Sequence, residues 1–493
     1  MIFTNSRNKK YKALQSTFVK NSAWGIASNI LQILFVCGFF AIVARKFNSS
    51  DFARFLISNT VYQIIAAFSS MGLGQWFIRQ YVIDEEKLTL TSKFMKTQIG
   101  LGMLFYLVNI VLAYLIYPDT QIRVLCIILG TNIIFDNFIN AIKTLNIAEN
   151  EQQKSAKILV IDGFLKLVVG CLLFIHPFST VMLSVGMIAI RMMTLSLFIK
   201  LGSANSLSLG SLWRASISYN DLKVLIIKNW QFIVIGSISI IYWKIGNIII
   251  SKMLPLSNVA DYEISFRIFS VLQILPVVAS ATIYPQFIKF FNENNINGLK
   301  QLYKNIFFAY TVFAILSYVF MYSFSDVLIP LAFGKGYPGA VTCSQQMFLT
   351  FLLMPTVLLQ ANLIVAIKLE KLDMWLNIFS LIINVAGCLI GLSLVKDLAV
   401  VNYSVFVSFL VFHILQDIIL IRRKLMTLTH CLFFYSALVL TILACQHFMA
   451  VVSSVIFFVC FSAILLLSSA LIFMNQRRKL STAGSFNTAV TDK

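Results

Sequence analysis

This chain of 493 residues is short of charge, and above all of acid: 12% of its residues are charged, 19 of them acidic against 39 basic, while 59% are hydrophobic. A soluble protein of this length has far more polar residues to cover its surface, so a water-soluble body is excluded. The 8 cysteines form no CxxC pair and lie in or beside apolar runs, where they read as small buried hydrophobes rather than a redox or metal framework. No G-x-x-x-x-G-K-[ST] stretch occurs, which excludes a nucleotide-driven motor of that type. His176, His413, His430 and His447 stand apart from one another, with no His/Cys/Asp cluster at metal-ligand spacing. Neither a metal nor another cofactor is expected.

What the chain does have is apolar length. Mean hydropathy is +0.85, and a bilayer core needs about 20 apolar residues per helix. Such segments fill nearly the whole sequence. Six fall near 22–44, 52–76, 93–117, 121–145, 157–176 and 180–201. Six more run near 231–253, 259–284, 303–331, 341–367, 373–395 and 398–421, and a last pair near 429–449 and 453–474. The expected fold is therefore all-α and integral to the membrane, with about fourteen transmembrane helices.

The net charge of +20 does not point to nucleic acid, because the basic residues gather in every second gap between spans. They fill the N-terminus (Arg7, Lys9, Lys10, Lys12, Lys20), then Arg79 to Lys96, Lys143 to Lys157 and Lys200 to Lys228. The series continues with Lys289 to Lys304, Lys368 with Lys371, Arg422 to Lys424 and Arg477 to Lys479. Positive residues stay on the cytoplasmic side during insertion, so both termini are expected there. The first apolar run lacks a small-residue cleavage site and reads as a retained helix. The alternate gaps, such as Asn48 to Ser50, His176-Pro177 and Lys396-Asp397, are short. They leave nothing to enclose a substrate, which argues against an enzyme such as a membrane polysaccharide polymerase.

The sequence also repeats itself. Lys20-Asn21 leads into Trp24, Gly38 and Lys46, and Lys228-Asn229 leads into Trp230, Gly246 and Lys252. Ser50-Asp51-Phe52-Ala53-Arg54-Phe55 is echoed by Ser257-Asn258-Val259-Ala260-Asp261-Tyr262. An even number of spans in each half makes the repeats parallel, an organisation common in transporters. The expected order is a cytoplasmic N-terminus (1–21), a first six-helix bundle (22–202), a linker (203–230), a second bundle (231–421), two additional spans (422–475) and a cytoplasmic tail (476–493), with a central cavity between the bundles.

Chemistry in such a chain falls to the ionisable residues inside spans, where a Lys, Arg or Asp costs roughly 2.5–3.5 kcal/mol on insertion scales. Lys244, Arg267, Arg191 and Lys166 are the cationic candidates for substrate binding. Lys166 has Asp162 and Arg267 has Glu263 four residues earlier, on the same helical face. Lys244 has no carboxylate at that spacing and is the leading candidate. Asp136 and Asp417 are the candidates for ion coupling to H⁺ or Na⁺, with His413 four residues before Asp417. Arg54 and Asp261 occupy matching repeat positions and are candidates for a gate in which the two meet. A cationic chamber suits a pyrophosphate, held by point charges and hydrogen bonds, with Asn29, Gln32, Asn59, Gln63, Asn132, Asn137, Gln345, Gln346, Gln360 and Asn362 as partners for sugars. A multidrug or ion antiporter would favour buried acids instead.

Ala44-Arg45-Lys46-Phe47-Asn48-Ser49-Ser50-Asp51-Phe52-Ala53-Arg54-Phe55, then Met71-Gly72-Leu73-Gly74, follow the pattern R-x-L-G-x-x-x-F-G-x-Y … G-L-G, with Asn48 and Ala53 where the pattern has glycine. Ala260-Asp261-Tyr262, Ala332-Phe333-Gly334-Lys335-Gly336-Tyr337 and Asn362 with Lys368-Leu369-Glu370-Lys371 extend the likeness over about residues 20–421. In these features the chain resembles the polysaccharide flippases (Wzx-type O-antigen or capsule translocases) of the multidrug/oligosaccharidyl-lipid/polysaccharide exporter superfamily. The resemblance implies a bacterial inner-membrane protein that moves undecaprenyl-pyrophosphate-linked oligosaccharide to the periplasmic leaflet by alternating access, driven by H⁺ or another ion. It implies a lipid-linked oligosaccharide and membrane lipid as partners, with polysaccharide assembly proteins beside them. The last two spans resemble the extra helices of lipid-linked peptidoglycan-precursor flippases.

Overall fold

A computed structural model describes residues 28, 30–206, 219–449 and 451–491 of the chain. Every regular element among them is helical. Long apolar stretches without water to satisfy their backbone leave helix as the local solution. In chain order these are α1 (30–46), α2 (Ser49–Ser69), α3 (Leu73–Ile83), α4 (Lys87–Ile116), α5 (Thr120–Gly130), α6 (Asn132–Ala148), α7 (Gln152–Ile175) and α8 (Thr180–Leu201). A short 3₁₀ turn, Ser203–Ser206, follows. Then come α9 (Tyr219–Met253), α10 (Ser257–Asn292), α11 (Ile296–Phe333), α12 (Gly339–Phe351), α13 (Met354–Ala366), α14 (Glu370–Leu394), α15 (Leu398–Arg422), α16 (Leu428–Phe448) and α17 (Ser454–Thr491).

Among the described residues, 12 stretches are long and apolar enough to cross a membrane. They coincide with expected spans two to six and eight to fourteen. The first expected span (22–44) lies partly outside the described residues, where 30–46 form α1. The seventh (231–253) is the later part of α9, which already begins at Tyr219, inside the stretch read as linker; residues 207–218 and 1–21 lie outside the described residues. The polar end of the chain continues α17 to Thr491.

Three spans are broken rather than straight. Met71 (φ 51°) and Gly72 (φ 59°) turn the chain between α2 and α3 in the left-handed region that only glycine adopts freely. Thr131 separates α5 from α6, and Leu352-Leu353 separate α12 from α13, which starts with Pro355 in its first turn. The second and third breaks fall in the fourth span of each half, at matching positions of the repeat. Polar caps fix the starts of other spans: Asn48 Oδ1 accepts the Asp51 N–H at 2.8 Å, and Asp119 Oδ1 accepts the Gln121 N–H at 2.8 Å.

Contacts divide the chain into two compact units. The first comprises Met1–Arg267, Pro330–Ala340 and Asn377–Ser404. One end of its core is built on the stacked rings of Phe77 and Phe94, 4.2 Å apart, with Tyr81, Met95, Ile142 and Phe198 around them. Small residues let α1 and α7 approach closely, as is usual between helices in lipid. A Cβ at Gly163 would stand 3.2 Å from the Gln32 carbonyl oxygen, and one at Gly170 would stand 3.0 Å from the Phe39 ring. The second unit comprises Ile268–Ile329, Val341–Leu376 and Val405–Lys493. Phe269, Phe348 and Phe351 pack edge and face in its interior, while Phe458 of α17 packs on Phe320 and Phe324 of α11.

Gly163→Leu should push α1 from α7 and cost about 1–3 kcal/mol, lowering the unfolding temperature of the purified protein in detergent. Gly100→Ala, where nothing lies within 4 Å of the added carbon, should leave it unchanged or raise it.

Candidate functional site

All four cationic candidates lie in the first unit, and each is held by a carboxylate. On α7, Asp162 is 1% exposed and receives three groups. Lys166 Nζ stands 2.6 Å from Oδ2, Arg191 Nη1 stands 3.3 Å from Oδ1, and the Thr194 hydroxyl donates to Oδ1 at 2.9 Å. Arg191 on α8 also pairs with Asp136 on α6 through Nε at 2.8 Å. The Tyr62 hydroxyl of α2 donates to that same carboxylate. Four helices are thus joined around one buried network.

A second network lies between α9 and α10. Glu263, itself buried, pairs with Lys244 Nζ at 2.7 Å and with Arg267 Nη2 at 3.0 Å. Asn247 Nδ2 donates to its other oxygen at 2.7 Å and lies 3.0 Å from the Thr60 hydroxyl. Lys244 caps the Phe266 ring and Arg267 the Phe40 ring, with the cations 4.8 Å and 3.7 Å from the centroids. Lys244 therefore has a carboxylate after all, supplied across the helical hairpin rather than from its own helix.

Three of the four cations meet a common space. A cavity of about 120 Å³ in the first unit is lined by Lys166, Arg191 and Arg267 together with Tyr62, Gln63, Asn59 and Asn132. Lys244 does not reach its wall. The four cations face three carboxylates, Asp136, Asp162 and Glu263, which leaves one positive charge in excess. The wall is less positive than a count of the basic residues implies, because each cation enters the membrane with an acid.

Arg54 and Asp261 do not meet. Arg54 pairs with Asp119 at 2.9 Å and Asp51 at 3.1 Å, while Asp261 accepts the Ala340 N–H at the start of α12. Asp136 sits in the first network. Asp417, in the second unit, hydrogen-bonds to Gln360 at 2.6 Å and to His413 and Tyr435. The two motif stretches do come together: Tyr337 donates to the Ala44 carbonyl at 2.7 Å, and Arg45 donates to the carbonyls of Leu331 and Ala332. Among the described residues no group of His, Cys, Asp and Glu could hold a metal ion. Sequence reasoning gave Glu263 only its neighbour Arg267 and passed over Asn247 and Thr194. The one available signal was that Lys244 and Glu263 lie in consecutive spans joined by a short turn at Pro255.

The fold is that of a multi-span helical membrane protein with ion-pair networks between its helices. A family model described as polysaccharide biosynthesis protein matches residues 18–291, more than half of the chain. The chain belongs to that polysaccharide biosynthesis family. No curated protein matches it. Among solved structures it is similar to the lipid II flippase MurJ in an inward closed conformation, at 14% identity and a TM-score of 0.68, over 93% of this chain and 99% of that one. An inward-facing multidrug resistance MATE family transporter of the MOP superfamily matches at 14% identity and a TM-score of 0.66, over 80% and 94%. A MOP superfamily transporter from Pyrococcus furiosus matches at 14% identity and a TM-score of 0.56, over 83% and 95%. At such identities the likeness is one of fold.

Asp162→Asn should leave Lys166 and Arg191 short of a counter-charge and cost about 3–5 kcal/mol, part of which Lys166→Met in the same chain should restore; unfolding in detergent reads both. At Asp119, which precedes α5, partial burial pushes the carboxyl up, but the Arg54 guanidinium and the Ile122 and Gln121 N–H groups outweigh it and hold it below the ordinary value. Its contribution to stability is present above that value and lost as the pH falls through the lowered one. Asp119→Asn should therefore flatten the acid limb of the stability profile.

Proposed function

We propose that the chain is a carrier, not an enzyme, that moves an undecaprenyl-pyrophosphate-linked oligosaccharide from the cytoplasmic to the periplasmic leaflet of a bacterial inner membrane by alternating access coupled to an ion gradient. The observation that carries this reading is the cavity wall, where Lys166, Arg191 and Arg267 stand among Asn59, Gln63, Asn132 and Tyr62. A pyrophosphate needs several cationic donors at once, and guanidinium groups match its oxygens in pairs. The amides and the phenol suit the hydroxyls of sugars, which both donate and accept. A carrier of cationic drugs needs unclaimed carboxylates, whereas Asp136, Asp162 and Glu263 each already hold a cation. Family membership supports a role in polysaccharide biosynthesis, and the fold similarity to a lipid II flippase supports a lipid-linked cargo.

The test replaces Arg191 and Arg267 singly with Ala at matched membrane levels. Loss of one charge-assisted contact, about 1.5–3 kcal/mol, should lower surface polysaccharide roughly tenfold or more, with lipid-linked repeat units accumulating on the cytoplasmic leaflet. Normal surface polymer in both variants would remove this cavity from the transport path.

A further inference from the structure

A second cavity in the first unit differs in kind from the one lined by Lys166, Arg191 and Arg267. It measures about 360 Å³ against about 120 Å³, and α2, α3, α4 and α6 enclose it. Both cavities are built on α2 and α6. Asn59 and Gln63 on α2 and Asn132 on α6 line the smaller one, whereas Ser70 on α2 and Asn140, Lys143 and Thr144 on α6 line the larger. The larger therefore lies about 10–18 Å further along these helices, toward the end where Arg79 to Lys96 gather.

Its wall carries hydrogen-bonding capacity that the protein leaves unused. Gln98 of α4 is 2% exposed, and its Nε2 donates to the Ser70 carbonyl at 3.1 Å. That bond fixes which way the amide points, because the reversed amide would set oxygen against oxygen. Gln98 Oε1 is then an enclosed acceptor with no donor among the described residues, a state that costs free energy until a donor arrives. Gln75, Asn140 and Lys143 line the same space, and their side chains make no hydrogen bond or ion pair among the described residues. Lys143 is the one charged residue in the described wall. The acids closest to it along the chain are Asp136 and Glu149, and these are taken up by Arg191 and Tyr81. Lys143 thus differs from the four cations above, each of which has its own carboxylate.

We propose that this cavity binds an anionic saccharide, with Lys143 paired to a carboxylate on one sugar and Gln98 Oε1, Gln75 and Asn140 engaging its hydroxyls. The chemistry selects this class. A pyrophosphate needs several cations at once, whereas one lysine, a point charge, matches a single carboxylate. Hydroxyls both donate and accept, so they serve the orphan oxygen and the free amides together. A fully ionised inorganic anion would satisfy Lys143 but bring Gln98 Oε1 no donor, and water would satisfy Oε1 but bring Lys143 no counter-charge. A cationic drug would be repelled. That the saccharide is the far end of the transported cargo, with its pyrophosphate in the smaller cavity, rests on the carrier reading above; the binding itself does not.

The test applies the purified full-length chain in detergent to an array of lipid-free, uronate-containing oligosaccharides and the same compounds with their carboxyls reduced to alcohols. These probes carry no phosphate, so a pyrophosphate site does not contribute. The acidic forms should be retained about tenfold or more over the reduced ones, as one charge-assisted contact implies. Lys143→Met should erase that preference and Lys143→Arg should keep it. Asn140→Ala, at an exposed position, should weaken retention of both forms alike. An unchanged unfolding temperature verifies that each variant is folded. Retention of no acidic glycan, equal retention of acidic and reduced forms, a preference that survives Lys143→Met, or binding untouched by Asn140→Ala would overturn the proposal. If the array result holds but surface polysaccharide never depends on this protein, the carrier reading fails and the site stands. If surface polysaccharide depends on the protein and the array retains nothing, the site fails and the carrier reading stands.

Discussion

A charge among apolar helices has no water to fall back on, and the first unit is arranged around that constraint. Asp162 gathers Lys166, Arg191 and Thr194, and Glu263 gathers Lys244, Arg267 and Asn247. Each carboxylate accepts more than one donor, so every cation has a partner while few acids are used, and one positive charge remains in excess. The scarcity of acid in the sequence and the sharing of each acid in the structure are two views of the same economy. Buried pairs of this kind contribute little net stability against apolar replacements, but removing one partner is costly. They therefore fix which helix faces which. The cavity inherits its lining from that choice, since Arg191 and Arg267 reach it only because Asp136, Asp162 and Glu263 hold them in place.

The repeat adapts one scaffold to two polar clusters. In the first half the broken fourth span gives Asp136, which meets Arg191 of the sixth. In the second half the matching broken span gives Thr356 and Gln360, which meet His413 and Asp417 of the matching sixth. The base has become an acid with a histidine beside it, and the acid has become an amide. One half thus lines a cavity with basic side chains, and the other encloses a hydrogen-bonded histidine and carboxylate.

Much of this was legible in the sequence, for physical reasons. Spans were readable because a bilayer imposes a length and a composition, and twelve of them emerge at the expected positions. Pairs four residues apart were readable because helix geometry makes them neighbours: Asp162 with Lys166, Glu263 with Arg267, and His413 with Asp417. Pairs between helices were not readable, since a single sequence does not say which faces meet. Lys244 looked unpartnered for that reason, and Arg54 was matched to Asp261 when its acids are Asp51 and Asp119. The breaks at Thr131 and Leu352-Leu353 lie beside Gly130 and Pro355, one breaker residue each, which the apolar-length reading passed over, so both spans read as straight. Tyr435, on a span without a counterpart in the repeat, could not be connected to Asp417 before the fold was known.

The central claim is that the cavity bearing Lys166, Arg191 and Arg267 receives the pyrophosphate of a lipid-linked saccharide. Native mass spectrometry of the purified protein with undecaprenyl-pyrophosphate-linked and undecaprenyl-monophosphate-linked forms of one oligosaccharide tests it most directly. The account predicts retention of the pyrophosphate form over the monophosphate form, with the preference lost in Arg191→Ala and Arg267→Ala. Equal retention of both forms, or a preference that survives in both variants, would contradict it.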